Sequence, residues 1–117
     1  MFTGGAAIQE ISDPLGMPYI EMKVLFMDAG SRSRPHRHEV EQALYFLEGP
    51  GVIAVDGGPD QIVEAGHFVV IPAGALHMHG APDSNPAAYL SQIAKRHESD
   101  FEAPIPPAWA AYGRTAP

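Results

Sequence analysis

The sequence contains no cysteine among its 117 residues, and it is short of positive charge. Without cysteine, disulfides, thiolate metal ligands and cysteine nucleophiles are excluded, so any bound metal must be held by nitrogen and oxygen atoms. Seven Lys and Arg residues stand against fourteen Asp and Glu residues, for a formal charge of −7. We therefore expect no nucleic-acid partner and no anionic-membrane partner, because both require a positive field.

Long apolar runs are also missing. No stretch approaches the roughly 18 residues that span a bilayer, and no charged-then-apolar leader opens the chain, so we expect a cytoplasmic protein. Apolar residues make up 45% of the chain and charged residues 18%, which is typical of a folded globular protein. The length fits one domain over residues 1–117.

Glycine and proline are abundant, at 12 residues each, which favours many short strands joined by tight turns over long helices. Residues 88–95 could form a strand or a short helix, because they mix residues that favour each. The tail over 100–117 is expected to be irregular and docked on the rest of the chain. We predict an all-β sandwich or barrel, with strands near 19–28, 43–48, 52–55, 61–63, 67–71 and 76–79.

The histidines carry the clearest chemical signal. His36 and His38 are two residues apart, so on a strand they share one face, and Gln42 keeps their parity. His77 follows a Pro-x-Gly turn, and antiparallel pairing could bring it opposite the first two. Imidazoles from two strands suit one divalent zinc, nickel, iron or manganese ion, and an amide oxygen can complete the set.

These segments resemble the two motifs of the cupin family. The stretch GSRSRPHRHEVEQALYFLEG over 30–49 resembles the first motif, and GHFVVIPAGALH, the core of the second motif segment at 66–81, resembles the second. The resemblance implies a cupin β-barrel, that is, a jelly roll or double-stranded β-helix of two facing antiparallel sheets. It also implies that His36, His38 and His77 bind a metal ion.

Two positions depart from the family pattern. Gln42 stands where the family usually has a glutamate ligand, and Ala81 stands where the second motif often ends in asparagine. Glutamine leaves the bound ion its full charge and removes a carboxylate base. Gln42 is therefore a candidate fourth ligand, or a residue that only forms hydrogen bonds beside a three-histidine metal, and Glu41 could replace it through a bulge.

Other residues are candidates for roles around the metal. His79 shares the parity of His77 and could move a proton, and Tyr45 could line the pocket and do the same. Arg32, Arg34 and Arg37 flank the metal loop and could clamp an anionic substrate, although solvated loop charges explain them equally well. The tail from residue 101 could cover the pocket, pack against a dimer partner or cover a sheet edge.

The resemblance implies a metal-dependent enzyme that acts on a small oxygenated molecule. A neutral ligand set favours Lewis-acid chemistry of an isomerase, lyase or cyclase. The alternatives are an Fe(II) or Mn(II) dioxygenase and a small-molecule binder without catalysis, since one fold hosts many functions. Small single-domain cupins commonly pair, so we also expect a homodimer.

Overall fold

The computed structural model describes residues 2–112, with the backbone alone for Phe2 and Thr3. These residues form short strands and one 3-10 helix, as expected from the frequent Gly and Pro punctuation. The strands are β1 Phe2–Thr3, β2 Ala6–Glu10, β3 Ile20–Met27, β4 Arg32–Ser33, β5 Arg37–His38, β6 Gln42–Glu48, β7 Gly51–Val55, β8 Gln61–Val63, β9 Phe68–Ile71, β10 His77–Gly80, β11 Ala87–Ala94 and β12 Ser99–Asp100.

Two five-stranded antiparallel sheets face each other. One has the strand order β1-β4-β10-β7-β8, the other β2-β3-β11-β6-β9, and β5 and β12 form a small additional pair. This confirms the predicted all-β barrel of two facing sheets, and it settles 88–95 as strand β11. The hairpin between β7 and β8 turns through Asp56 and Gly57, both with positive φ, which the Asp-Gly sequence favours.

Strict alternation along the strands decides which side chains enter the barrel. On β3, Leu25 and Met27 are buried and belong to the main apolar core, whereas Phe26 is 46% exposed on the outside. The run Val24-Leu25-Phe26-Met27 is apolar throughout, but alternation sets the Phe26 side chain on the outer face, where it is exposed.

The C-terminal tail docks on the outer face of the other sheet. Its 3-10 helix, Pro107–Tyr112, places Trp109 against Ala54 and Met78, and the Trp109 indole N–H donates to the Gly58 carbonyl at 2.9 Å. The expected docking is thus confirmed for the described part of the tail, and the last five residues of the predicted tail, 113–117, lie outside the described residues.

Four strands have no counterpart in the sequence-based prediction, namely β1, β2, β4 and β12. Their two to five residues are too short or too polar to show a period of two. Among residues 2–112, no helix is long and apolar enough to cross a membrane.

Candidate metal centre

Backbone pairing brings the two histidine segments together. His36 and His77 form an antiparallel bridge, in which each residue's N–H donates to the carbonyl of the other at 3.1 and 2.8 Å. His38 follows on β5, and Gln42 begins β6 in the opposite sheet. His36, His38 and Gln42 are buried while Arg37 and Glu41 are exposed, as the predicted alternation requires, but the strand does not continue through 39–41 and Gln42 belongs to a different sheet from His38.

Four imidazole rings cluster at this end of the barrel. The centre of the His36 ring lies 4.3 Å from that of His77, 4.8 Å from that of His38 and 5.5 Å from that of His79. Ring nitrogens of His36, His77 and His79 all lie within 4.8 Å of one another, close enough to hold one ion. Of the three histidines that the sequence predicts as ligands, His36 and His77 belong to this set and His79 joins them, whereas His38 lies beside it, with its ring centre 4.8 Å from that of His36.

Main-chain carbonyls fix the tautomers of two of these histidines. Nδ1 of His36 lies 2.7 Å from the carbonyl of Arg34, and Nδ1 of His77 lies 2.9 Å from that of Ala75. A carbonyl can only accept, so Nδ1 carries the proton in both rings, and each Nε2 presents a lone pair. This arrangement is how proteins orient metal-binding histidines.

The contact between Gln42 and His77 also points to a cation. Gln42 Nε2 donates to the Ser91 hydroxyl at 2.9 Å, which directs its Oε1 toward His77 Nε2 at 3.2 Å. Because His77 is protonated on Nδ1, this contact places two acceptors side by side. A cation shared by the two atoms would turn that repulsion into coordination.

One ring nitrogen of His38 has no hydrogen-bond partner in the part of the chain that the structure describes. Its Nδ1 lies 2.9 Å from the Ser99 hydroxyl, while its Nε2 is buried without a hydrogen-bond partner among the described residues. A buried polar atom left without a partner costs about 1–3 kcal/mol. The cost and the position beside His36 both fit an ion as the missing partner.

His79 contacts Tyr89, a residue that the sequence-based prediction did not select. Nδ1 of His79 lies 2.5 Å from the Tyr89 hydroxyl, and burial raises the pKa of that hydroxyl well above its usual value. Tyr89 is fully buried, and no other hydrogen bond of its hydroxyl is found in residues 2–112. The pair is therefore not connected to solvent through Tyr89.

Tyr45, the other predicted proton-transfer residue, lies outside the barrel. It alternates with Gln42 and Leu44 on β6, so its side chain points away from the cavity, and its ring packs on the exposed Phe68 at 4.6 Å. The prediction of a catalytic role for Tyr45 was wrong, because its odd parity relative to Gln42 sets it on the outer face.

Burial keeps the histidines neutral. It lowers the pKa of His36 to about 3, helped by His77, and the pKa of His38 to about 4, where the nearby Gln42 amide opposes the shift without hydrogen-bond geometry to Nε2. Burial also lowers the pKa of His77 and of His79. Neutral imidazole is the form that binds metals, so all four rings are in the ligating state at neutral pH.

A cavity of about 200 Å³ opens beside the cluster. Its walls carry apolar side chains, among them Leu25 and Ile93, and Phe101 stacks on the His36 ring at 4.9 Å. Glu21 and Lys23 also line it. Sequence reasoning missed both charges, although they share the parity of Leu25 and Met27 on β3 and could have been found by extending that alternation outward.

The predicted arginine clamp is not formed at the cavity. Arg32 makes two hydrogen bonds to Asp60, at 3.0 and 2.9 Å, and lies over the Tyr112 ring. Arg37 pairs with Asp100 at 2.9 Å, and neither these arginines nor Arg34 lines the cavity. By contrast, the tail does reach the pocket, because Phe101 covers the His36 ring.

Known proteins share this architecture. A family model described as "Cupin domain" matches residues 23–93. A solved cupin-like protein from Thermotoga maritima is 24% identical, with a TM-score of 0.74 over 83% of this chain and 77% of that chain. A polyketide cyclase from Streptomyces resistomycificus is 21% identical, with a TM-score of 0.74 over 81% of this chain and 69% of that chain.

A salicylate 1,2-dioxygenase from Pseudoaminobacter salicylatoxidans shares the fold as well. It is 15% identical, with a TM-score of 0.70 over 86% of this chain but only 30% of that chain. At these identities the likeness shows the fold and not the reaction. None of the curated proteins compared matches this chain.

Proposed function

Since the chain belongs to the cupin family, we propose that it is a metal-dependent enzyme acting on a small oxygenated organic molecule by isomerase, lyase or cyclase chemistry. The observation that carries the proposal is the set of neutral imidazole nitrogens that converge beside the cavity, with two of the rings fixed by main-chain carbonyls. Three histidines could hold a metal ion, and the donor chemistry fits Zn²⁺, Ni²⁺, Mn²⁺ or Fe²⁺.

His36 and His77 are the central ligands of the proposal, because their Nε2 lone pairs are free and their ring centres are nearest. His38, Gln42 and His79 supply the further donors. We assign His79 to binding and not to the proton transfer that the sequence suggested, since the one side-chain hydrogen bond it makes within residues 2–112 is with the fully buried Tyr89. When bound, the ion supplies Lewis acidity to a carbonyl, enediol or carboxylate oxygen.

The chain's own residues then hold and shield the substrate. Leu25, Ile93 and Phe101 give the cavity apolar walls, which limit the access of water to the reacting atoms and strengthen electrostatic contacts inside. Gln42 contributes no charge, so the polarising power of the site is undiminished compared with one that contains a glutamate. This is why we place Lewis-acid chemistry before redox chemistry.

An oxygen-dependent reaction is the second candidate. The donors are all neutral, and a solved dioxygenase has the same fold; open positions on Fe(II) or Mn(II) would serve substrate and O₂. A binding protein without turnover would use the same pocket.

The test begins with elemental analysis of protein purified without chelators, for the unaltered chain and for the His36→Ala/His77→Ala variant. We expect one transition-metal ion per chain in the former and none in the latter, with unchanged far-UV circular dichroism. Unaltered protein that takes up no zinc, nickel, manganese or iron would contradict the proposal. A substrate screen run with and without O₂ then separates the reactions, because turnover without O₂ excludes the dioxygenase.

A further inference from the structure

Two lysines of the protein differ sharply in how their ammonium groups are used. Lys95 Nζ lies 2.7 Å from an Asp13 carboxylate oxygen and 2.9 Å from the Met17 carbonyl. Lys23 Nζ lies 3.7 Å from Glu21 and 3.9 Å from Glu10, beyond hydrogen-bond distance. Lys95 is therefore a structural tether, whereas Lys23 has close opposite charges but no hydrogen bond among the residues that the structure describes.

Lys23 is also directed at the cavity. It shares the inward face of β3 with Glu21 and Leu25, and all three line the cavity beside the histidine cluster. Its register partner on β11 is Ser91, the residue that accepts the Gln42 amide. A polar group with three donors, and no hydrogen bond within residues 2–112, is thus separated from a candidate metal ligand by the one intervening strand β11.

We infer that Glu21 and Lys23 form a second subsite that binds a hydroxyl group at the far end of the substrate, whose other oxygen lies at the metal centre. A hydroxyl fits both partners at once, because it donates to the Glu21 carboxylate and accepts from the Lys23 ammonium. The inference rests on the proposed function and narrows its substrate to a small hydroxylated acid or carbonyl compound.

The charges at the subsite disfavour a substrate whose far end is a second carboxylate. Glu10 and Glu21 flank the single ammonium, so an incoming anion meets two negative charges for one positive. A neutral hydroxyl avoids this repulsion and gains two hydrogen bonds to charged groups. The cavity, at about 200 Å³, is below the roughly 300–1,000 Å³ of sites for drug-sized ligands, which also favours a short molecule.

Titration calorimetry on the full chain loaded with Zn²⁺ tests the subsite. The probes are straight-chain monocarboxylates with three to six carbon atoms, the corresponding ω-hydroxy acids and the corresponding α,ω-diacids. At one chain length or more we expect the hydroxy acid to bind about tenfold tighter than the unsubstituted acid, as hydrogen bonds to charged groups allow. The diacid should show no such gain.

Four variants assign that gain to residues. Lys23→Met should abolish it, and Glu21→Gln should reduce it, while both keep the affinity for unsubstituted acids and the zinc content. Lys95→Met and Glu10→Gln are the controls for hydroxy-acid binding, since each removes a charge but neither side chain lines the cavity. Glu10→Gln also removes one of the two negative charges that repel a diacid, so its diacid affinity is compared separately. Both controls should retain the gain.

The outcomes separate the inference from the function on which it rests. A gain for diacids instead of hydroxy acids, a gain that survives Lys23→Met, or no gain at any chain length would overturn the subsite while metal-dependent binding of simple acids stands. If no acid binds to the zinc-loaded protein, both proposals fall. Melting temperatures of all four variants confirm that each is folded.

Discussion

The two ends of the barrel interior are filled with different chemistry, and strand β6 contributes to both, with Gln42 at one end and Phe46 at the other. At one end, Met27, Phe46 and Ile53 belong to the apolar core; at the other, buried positions carry His77, His79 and Gln42. The apolar end lowers the free energy of folding. The polar end is costly to bury unless every nitrogen and oxygen has a partner. Among the described residues, His38 Nε2 has no such partner within the protein.

The contrast indicates that folding stability depends mainly on the apolar end and the proposed metal binding on the histidine end. Polar atoms facing outward from the histidines are satisfied by carbonyls and hydroxyls, whereas those facing the centre are left as acceptors. Substitutions at the apolar end should change the free energy of unfolding and leave metal binding intact. Substitutions at the histidine end should change metal binding, and they should change the free energy of unfolding of the metal-free protein only through the burial of polar or charged groups.

Removing a central histidine should have the largest effect. His36→Ala, alone or together with His38→Ala, is expected to abolish bound metal because it deletes the ring whose centre lies nearest to those of the other histidines. Metal content by elemental analysis measures this, and circular dichroism checks the fold. His67→Ala is the control, since His67 is an exposed turn residue, and equal metal loss in both variants would contradict the assignment.

At the apolar end, Phe46→Ala should reduce the free energy of unfolding by about 3–5 kcal/mol, because a fully buried ring leaves a cavity. Urea denaturation measures the change. The matched control is Phe68→Ala, in which a ring that is 62% exposed is removed, with an expected cost of well under half that value. Zinc stoichiometry of the folded Phe46→Ala protein should be unchanged, and a loss there would show that the two ends are coupled.

Acid should weaken the metal-free protein through the histidine end. The folded pKa of His36 is about 3 and that of His38 about 4, below the ordinary value of 6.5, so the unfolded chain binds more protons between these limits. Stability should therefore be complete above about pH 6.5 and fall as the pH drops toward 4, by on the order of 1 kcal/mol per pH unit for each such histidine.

Urea unfolding of chelator-treated protein at several pH values gives this slope. In the His36→Ala/His38→Ala variant the slope should be smaller, because two neutral buried imidazoles are gone. An unchanged slope would place the acid sensitivity elsewhere in the chain.

The hydroxyl of Ser99 should matter less than a ligand but more than a surface residue. It lies 2.9 Å from Nδ1 of His38, and such orienting contacts typically account for 10–100-fold in metal affinity. Competition with a zinc-binding dye should show a loss in this range for Ser99→Ala. Ser84→Ala, in an exposed loop away from the cluster, should show none.

Alternation and turn signals were enough to predict an all-β sandwich or barrel and to place Gln42 on the side of His36 and His38. The resemblance to the cupin motifs added the two facing sheets and the shared metal site of His36, His38 and His77. Both kinds of reasoning failed where the strand face that a side chain occupies depends on its exact parity, or where a contact depends on pairing between segments distant in sequence. Tyr45 was predicted to line the pocket although its odd position on β6 turns it outward, and Tyr89 was not selected although its hydroxyl contacts His79.

Two further contacts had no local signal at all. Phe101 reaches His36, and Ser99 reaches His38, only because β12 pairs with β5 across 61 residues of chain. Pairings between strands of two residues follow from the assembled barrel and not from local sequence, so these parts of the site could be found only in the structure.

The smallest effect, and the one that probes the contrast most finely, is expected for Gln42→Glu. The change keeps the shape of the side chain and adds one negative charge at an atom 3.2 Å from His77 Nε2. In the metal-loaded protein this charge should tighten zinc binding about tenfold, roughly 1.4 kcal/mol, since a carboxylate attracts a cation more strongly than an amide does.

In the metal-free protein the buried carboxylate loses the N–H that Gln42 donates to Ser91, so stability should fall. Zinc affinity should therefore rise, while the free energy of unfolding of the metal-free protein, measured by urea denaturation, should fall. If affinity stays the same while metal-free stability falls, Gln42 is a hydrogen-bonding residue beside a site made of histidines alone.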